Sequence, residues 1–447
     1  MNIDFHYYAV KTIALASGFS EEDAQTIATF SEYVDDYNPG DVGRYNTIPQ
    51  EIIDKQNSKL ILTEEEKREY ITAKLMREYN AKHGTYKMPS KQKVDKYFEE
   101  NGSIVPNFRR ISTGFSLSEC AKEFCQKTSV APFHFIAHDS EAANTKEGRF
   151  TKPAIIGDDS LISKYLENAK KEYLSSNSTT KKRALMHIGM LLHIFADTYA
   201  HAEFSGFNED CNIAEVSDVK YTKDGSEVPT TDKYIVDYIM QQSGVYGVTK
   251  RISAAGHQMV GHLPDYPGVS FTFKFEKPER LVERNNTLIF TEVSMRIFDF
   301  LYDIRHEKEG KDSNAAIAQI RQVGAKDTYK YDETNLESIP EGRRNFVKKL
   351  ITAFSSTPIS TFEESWLVTK VVKSVWGKIF GGSDKSPITI LKEIWAQVLN
   401  IPAESYQYDP SDVFALDDKN IKDENFYYYN SYAEDILMGL YPEDYIQ

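Results

Sequence analysis

The chain has 447 residues, 40% hydrophobic and 27% charged, with a formal charge of −14 and three cysteines. That length corresponds to about three domains of roughly 150 residues, or one large helical body with an appendage, and the apolar fraction excludes wholesale disorder. The acidic balance argues against the broad basic surface of a duplex-binding protein; no apolar run reaches the roughly 18 residues of a membrane span; and Cys120, Cys125 and Cys211 are too few for a disulfide framework.

The opening MNIDFHYYAV has neither the basic start nor the long apolar stretch of a secretory signal, so a cytoplasmic location is expected. Helical patterns then dominate. Ser20 caps a helix over 21–33 with an acidic first turn, Glu21-Glu22-Asp23. Further helices are predicted over 63–79, 116–127, 159–174, 181–204, 232–242, 288–304, 341–354 and 387–399. The clearest strand is VSFTFKF, 269–275. The expected class is mainly α.

Residues 1–307 read as the main helical domain. It is interrupted over about 38–114 by a charged stretch, read as an insertion or lid, whose single histidine is His83. A polar connection follows over 308–340, then a C-terminal helical region, 341–447. From Glu404 onward that region carries 11 acidic and 2 basic residues with 8 tyrosines, which favours an ordered tail packed on the body. Within it, SWLVTKVVKSVWGKIFGG (365–382) gathers Leu367, Val371, Val375 and Trp376 on one face, with Lys370 and Lys373 opposite. Such a helix either packs on the protein's own core or lies on a lipid surface, giving peripheral membrane contact.

The histidines are grouped. In LMHIGMLLHIFADTYAHAEF, at about 100° per residue, His187, His193, Asp197 and His201 fall on one helix stripe about 120° wide. His193, Asp197 and His201 are successive i,i+4 neighbours, within reach of one metal or a bridged pair. Burying Asp197 beside the apolar face without a cation costs several kcal/mol. His187 lies about 9 Å lower along the axis, which suits a supporting role. A second group is AAGHQMVGHLPDYPG, with His257, His262 and Asp265; a third is APFHFIAHDS, where His134 is the better ligand and His138 a supporting or loop residue. The N-terminus adds Met1, Asp4 and His6, and EYVDDY adds Asp35 and Asp36.

At MNIDFHYY, HIFADTYAH and GHQMVGHLPD the chain resembles the zinc-dependent phospholipase C and single-strand zinc nuclease superfamily. It looks closer still to an uncharacterised bacterial family with MxxDFHYY, HxxxDTxxH and GHxxxGHxPD motifs. The resemblance covers roughly residues 1–305 outside the insertion. It implies a helical fold holding zinc ions that hydrolyse phosphate esters. His6 and the Met1 amine would hold one zinc, sharing Asp197. Asp36 or Asp35, with His134, His193 and the bridging Asp197, would hold its partner. His201, His257 and either His262 or Asp265 would hold a third. The chain departs from the superfamily in three places: Met1 stands where tryptophan is usual, three residues rather than five separate Asp197 from His201, and Gly261 lies four after His257. Two or three zinc-like ions are therefore expected.

Paired metals activate water and clamp the oxygens of a phosphoryl displacement, and Asp4, beside His6, is the candidate general base. Glu203 points away from the stripe and reads as structural. The expected function is metal-dependent hydrolysis of a phosphodiester or phosphomonoester. The alternatives are a non-catalytic protein stabilised by closed metal sites and a membrane-surface phospholipase using the 365–382 helix.

Overall fold

In a computed structural model the first helix begins almost at the chain start. The N–H groups of Phe5 and His6 both reach the Asn2 carbonyl, at 2.9 Å, and a π-helical turn over Asp4–Ala9 runs into α1 (Val10–Ala16). Nearly every residue here is buried, so no polar periodicity marks this helix in the sequence. The structure describes residues 1–38, 63, 66–68, 71–72, 75–76, 87–100, 111–115, 122–223, 226–229, 255–309, 319–320, 329–331, 335–357, 387–414 and 424–441. The helix predicted over 232–242 and the amphipathic segment 365–382 lie outside the described residues, as do His83 and Cys120.

The expected cap forms at α2 (Glu21–Asp36), where the Asp23 N–H donates to Ser20 Oγ at 3.2 Å. After α3 (Leu161–Ser175) comes α4 (Lys181–Ala200), buried on all sides from Ala184 onward. Such all-round apolarity marks a central helix, and α2, α3 and α5 (Asn286–Glu309) pack around it. The approach of α2 is very close: a Cβ on Gly189 would sit 2.4 Å from the Ile27 carbonyl oxygen. Glycine there lets the two backbones touch, which brings the end of α2 beside the middle of α4.

A four-stranded antiparallel sheet, in the order β2-β1-β3-β4, is formed by β1 (Ala214–Lys223), β2 (Ser226–Pro229), β3 (Val269–Glu276) and β4 (Glu279–Asn285). The predicted strand is β3, whose Phe271, Phe273 and Phe275 face a smaller core with Phe204, Met259 and Val260. The other strands escape prediction because their outward faces are charged. The β1–β3 register shifts between Ser217 and Lys220, where Asp218 has φ 53°.

The C-terminal helices α6 (Glu341–Ser356), α7 (Pro387–Leu399) and α8 (Glu424–Leu440) join the main core. Phe354 stacks on Phe5 and meets Trp395 edge-on. The described part of the tyrosine-rich tail grips the N-terminal helix: Tyr7 Oη donates to the Gln407 carbonyl at 2.7 Å, and Tyr406 Oη bonds Thr12 Oγ1 at 2.5 Å. Among the described residues the molecule is mainly α, and no helix is long and apolar enough to cross a membrane.

Candidate metal centre

Helix α4 carries His193 and Asp197 on one face and stops at Ala200, four residues earlier than its periodicity suggests. The chain leaves the helix because the next groups are claimed elsewhere. Glu203, at φ 77°, donates its N–H to the Thr151 carbonyl, and Arg280 bonds both the Glu203 carboxylate and its carbonyl. His201 is therefore the first residue beyond the helix, with its N–H still on the Asp197 carbonyl at 2.8 Å.

Four imidazoles are oriented by backbone carbonyls. His193 Nδ1 donates to Ser31 O at 2.8 Å, and His201 Nδ1 donates to His134 O at 2.6 Å. His257 Nδ1 donates to Gly261 O at 2.7 Å, and His134 Nε2 donates to Thr113 O at 2.9 Å. A carbonyl only accepts, so the proton of each neutral ring sits on that nitrogen and the other nitrogen presents a lone pair. Those second nitrogens converge. His193 Nε2 and His134 Nδ1 lie 3.3 Å apart and each is 3.3 Å from Asp197 Oδ2, while His201 Nε2 and His257 Nε2 lie 3.0 and 3.4 Å from the Asp265 carboxylate. Lone pairs facing lone pairs and carboxylates repel unless a cation stands among them.

The ligand atoms form three groups, each within 4.8 Å: His6, Asp35 and His193; His134, His193 and Asp197; His201, His257 and Asp265. Asp197 joins them. Its Oδ1 faces the Met1 amine at 2.5 Å and His6 Nε2 at 3.2 Å, and its Oδ2 faces His134 and His193. The amine is also 3.3 Å from Asp265 and 3.4 Å from His201. Apolar rings close the cage: Phe135 stacks on His201 and Phe115 meets His134 edge-on. It opens at Asp35, whose side chain is 35% exposed, and at His262, 24% exposed.

The electrostatics follow from burial. Burial acts against the Met1 ammonium, yet Asp197, Asp265 and Asp35 hold its pKa up at about 11. Burial also acts to raise Asp197 and Asp265, but the imidazoles and the amine hold both carboxyls well below their usual range. Burial pushes His6 down to about 3 and His257 to about 4, so both rings are neutral near pH 7. These donors, neutral imidazoles with carboxylates, suit zinc or a similar divalent ion.

Two pairs left open by the sequence differ in their placement. Asp35 reaches the cage, while Asp36 accepts a hydrogen bond from Tyr408 Oη at 2.5 Å, with burial raising its pKa to about 6. Asp265 joins His201 and His257, while His262 Nδ1 bonds Asp265 Oδ2 at 3.2 Å and orients it. The glycines preceding both histidines have positive φ, 61° at Gly256 and 60° at Gly261.

Two further histidines make their contacts outside the cage, His138 as the loop residue expected. His187, six residues before His193 on α4, pairs with Glu172 at 2.8 Å and stacks on Tyr432. His138 pairs with Asp139 and Asp159 at the surface. Asp4 is fully buried without a well-formed hydrogen bond at either oxygen, and burial raises its pKa to about 7. Sequence reasoning passed over Glu32, 5% exposed, with Oε2 unpartnered and its pKa raised by burial and by Asp36, Asp35 and Asp4. Its place one turn before Asp36 in EYVDDY was the available signal. Thr113, which orients His134, had none.

The fold and site define a mainly helical protein with a buried His/Asp cage able to hold metal ions. The chain belongs to DUF6765, a family of unknown function, whose model matches residues 1–433. No curated protein and no solved structure matches it.

Proposed function

We propose that this protein is a metal-dependent phosphoester hydrolase, with two or three zinc-like ions held in the cage. The observation that carries the reading is the inward turn of four carbonyl-tethered imidazoles onto Asp197 and Asp265. A purely proton-linked core has no need to aim so many bare nitrogens at one another. Asp35, His134, His193 and Asp197 would hold one ion, and His201, His257 and Asp265 another. The Met1 amine and His6, both on Asp197 Oδ1, would serve a third or complete its neighbours.

Ions so placed supply Lewis acidity toward a phosphoryl oxygen and acidify water. The chain's own residues do the rest. Asp35 stands at the opening, where a substrate anion meets the cage. Asp4, fully buried with carboxyl oxygens that lack firm partners, is the group best suited to take a proton. The chain's net charge of −14 disfavours duplex nucleic acid and leaves lipid headgroups, nucleotides and single-stranded nucleic acid as the phosphate esters to test.

One observation favours a non-catalytic, metal-stabilised protein: His6, His193 and Asp197 are buried to 0–1% exposure, as in closed structural sites. Metal analysis with anomalous scattering, followed by hydrolysis of bis(p-nitrophenyl) phosphate with and without chelator, separates the two readings. Chelator-sensitive hydrolysis restored by zinc supports the enzyme. Stoichiometric metal with no hydrolysis of diester or monoester probes supports the structural protein.

A further inference from the structure

The backbone segment that orients His134 is itself held from the C-terminal region. Residues 111–114 run past the end of α2, where the N–H groups of Thr113 and Gly114 donate to the Tyr37 carbonyl at 3.2 and 3.0 Å. On the other side, α8 grips them twice. Asn430 Oδ1 accepts the Ile111 N–H at 2.7 Å, and Tyr429 Oη bonds Thr113 Oγ1 at 2.8 Å. Asn430 is fixed in turn, its Nδ2 donating to the Phe426 carbonyl at 2.7 Å. Ile111, Thr113, Tyr429 and Asn430 are all fully buried. The Tyr429 ring is wedged against Tyr33 and Tyr37 of the α2 end, so α8 touches both the segment behind His134 and the helix that carries Asp35.

A second contact comes from the chain before α8. Tyr408 Oη donates to Asp36 Oδ2, which leaves the adjacent Asp35 carboxylate 3.5 Å from His134 and 3.8 Å from His193. Either aspartate lies near enough in sequence to serve. The tyrosine engages one of them.

We infer that Tyr429 and Tyr408 are positioning residues for the ion held by Asp35, His134, His193 and Asp197, so that the C-terminal region sets the coordination of that ion. The inference rests on the metal-centre reading above. Its physical basis is that the acceptor on the far nitrogen of a ligand imidazole fixes ring orientation and basicity. Here the acceptor is a backbone carbonyl, and its place is only as firm as the bonds that hold residues 111–114. The group formed by His201, His257 and Asp265 is oriented instead by His134 O, Gly261 O and His262. The two ions should therefore respond differently to changes in the C-terminal region.

Cobalt(II) titration of the full chain, read by its visible d–d bands, tests this in the wild type, Tyr429→Phe, Thr113→Val/Tyr429→Phe and Tyr408→Phe. Repeating the titrations in a His257→Ala background assigns the bands. Tyr429→Phe should weaken one ion about 10–100-fold and shift its band, with the second ion and the melting temperature of the metal-free protein little changed. The Thr113→Val/Tyr429→Phe double variant, which leaves no orphaned hydroxyl, should show the same selective loss and keeps the test valid if the single variant folds poorly. Tyr408→Phe should alter the band of the same ion. Unchanged affinity and bands in all three variants, or equal weakening of both ions, would overturn the inference while leaving the metal centre standing. A wild-type chain that takes up no cobalt would overturn the metal-centre reading itself, and this inference with it.

Discussion

His193 Nε2 and His134 Nδ1 face each other at 3.3 Å, and each belongs to a ring whose other nitrogen donates to a backbone carbonyl. In the metal-free protein a proton must stand between them. Burial works against a charged His134, but its hydrogen bond to Asp197 and the nearby Asp35 raise its pKa overall. A divalent ion relieves the same repulsion and satisfies the carboxylates as well. Zinc at 100 times its dissociation constant should stabilise the fold by about 2.7 kcal/mol per site. Thermal melts of chelated and zinc-loaded protein check this; identical melting temperatures would count against a metal centre.

Asp197 is the hub, with one oxygen toward Met1 and His6 and the other toward His134 and His193. Asp197→Asn should lower bound metal at more than one position and abolish chelator-sensitive hydrolysis. In the metal-free state it also strips the buried Met1 ammonium of its nearest counter-charge, a loss of about 3–5 kcal/mol. Metal content after dialysis and urea unfolding measure the two effects separately.

The Met1 amine is enclosed by Asp197, Asp265 and His201, all within 3.4 Å. A residue added before Met1 would convert the amine to an amide and force extra atoms into the cage. An N-terminal tag should therefore reduce metal content and activity, and His6→Ala should reduce them in part, since both act at Asp197 Oδ1. A C-terminal tag should leave both unchanged. Equal metal content in the two tagged forms would remove the amine from the ligand set.

The His187–Glu172–Tyr432 cluster is expected to govern stability rather than metal. Burial acts to raise the Glu172 pKa, yet hydrogen bonds from His187 and Tyr432 hold it below its ordinary 4.5. A depressed carboxyl stabilises the fold above its unfolded-state pKa, and that contribution disappears as pH falls through the folded-state value. Glu172→Gln should thus be less stable than wild type at pH 7, with the gap closing below about pH 4. His187→Ala should cost about 1–3 kcal/mol with metal content unchanged. Urea melts across pH, paired with metal analysis, check both.

Gly189→Ala would place a methyl group 2.4 Å from the Ile27 carbonyl oxygen. Separating α2 from α4 should cost about 1–3 kcal/mol. It should also weaken the ion shared by Asp35 and His193 more than the one at His257 and Asp265. Equal stability and metal affinity in this variant would show that the helix approach is not critical to the site.

What the sequence determined by itself was local. The i,i+4 spacing of His193 and Asp197 puts both on one helix face whatever surrounds it, Ser20 caps α2 through its own hydroxyl, and the alternation of Val269 to Phe275 yields a strand with one apolar face. Each depends on dihedral periodicity or a bond within a few residues. The N-terminal helix, the charged strands β1 and β4 and the true end of α4 were not legible, because burial and partners distant in sequence, such as Arg280 at Glu203, decide them. Only the tertiary structure separates Asp35 from Asp36 and Asp265 from His262, by bringing Asp35 and Asp265 into the His/Asp groups. Asp35 and Asp36 are equivalent as letters, and His262 and Asp265 are both ligand-type residues within one short loop. They differ only in which neighbour reaches them first: Tyr408 engages Asp36, the close packing at Gly189 brings Asp35 to His193, and the loop after Gly261 turns Asp265 toward His201.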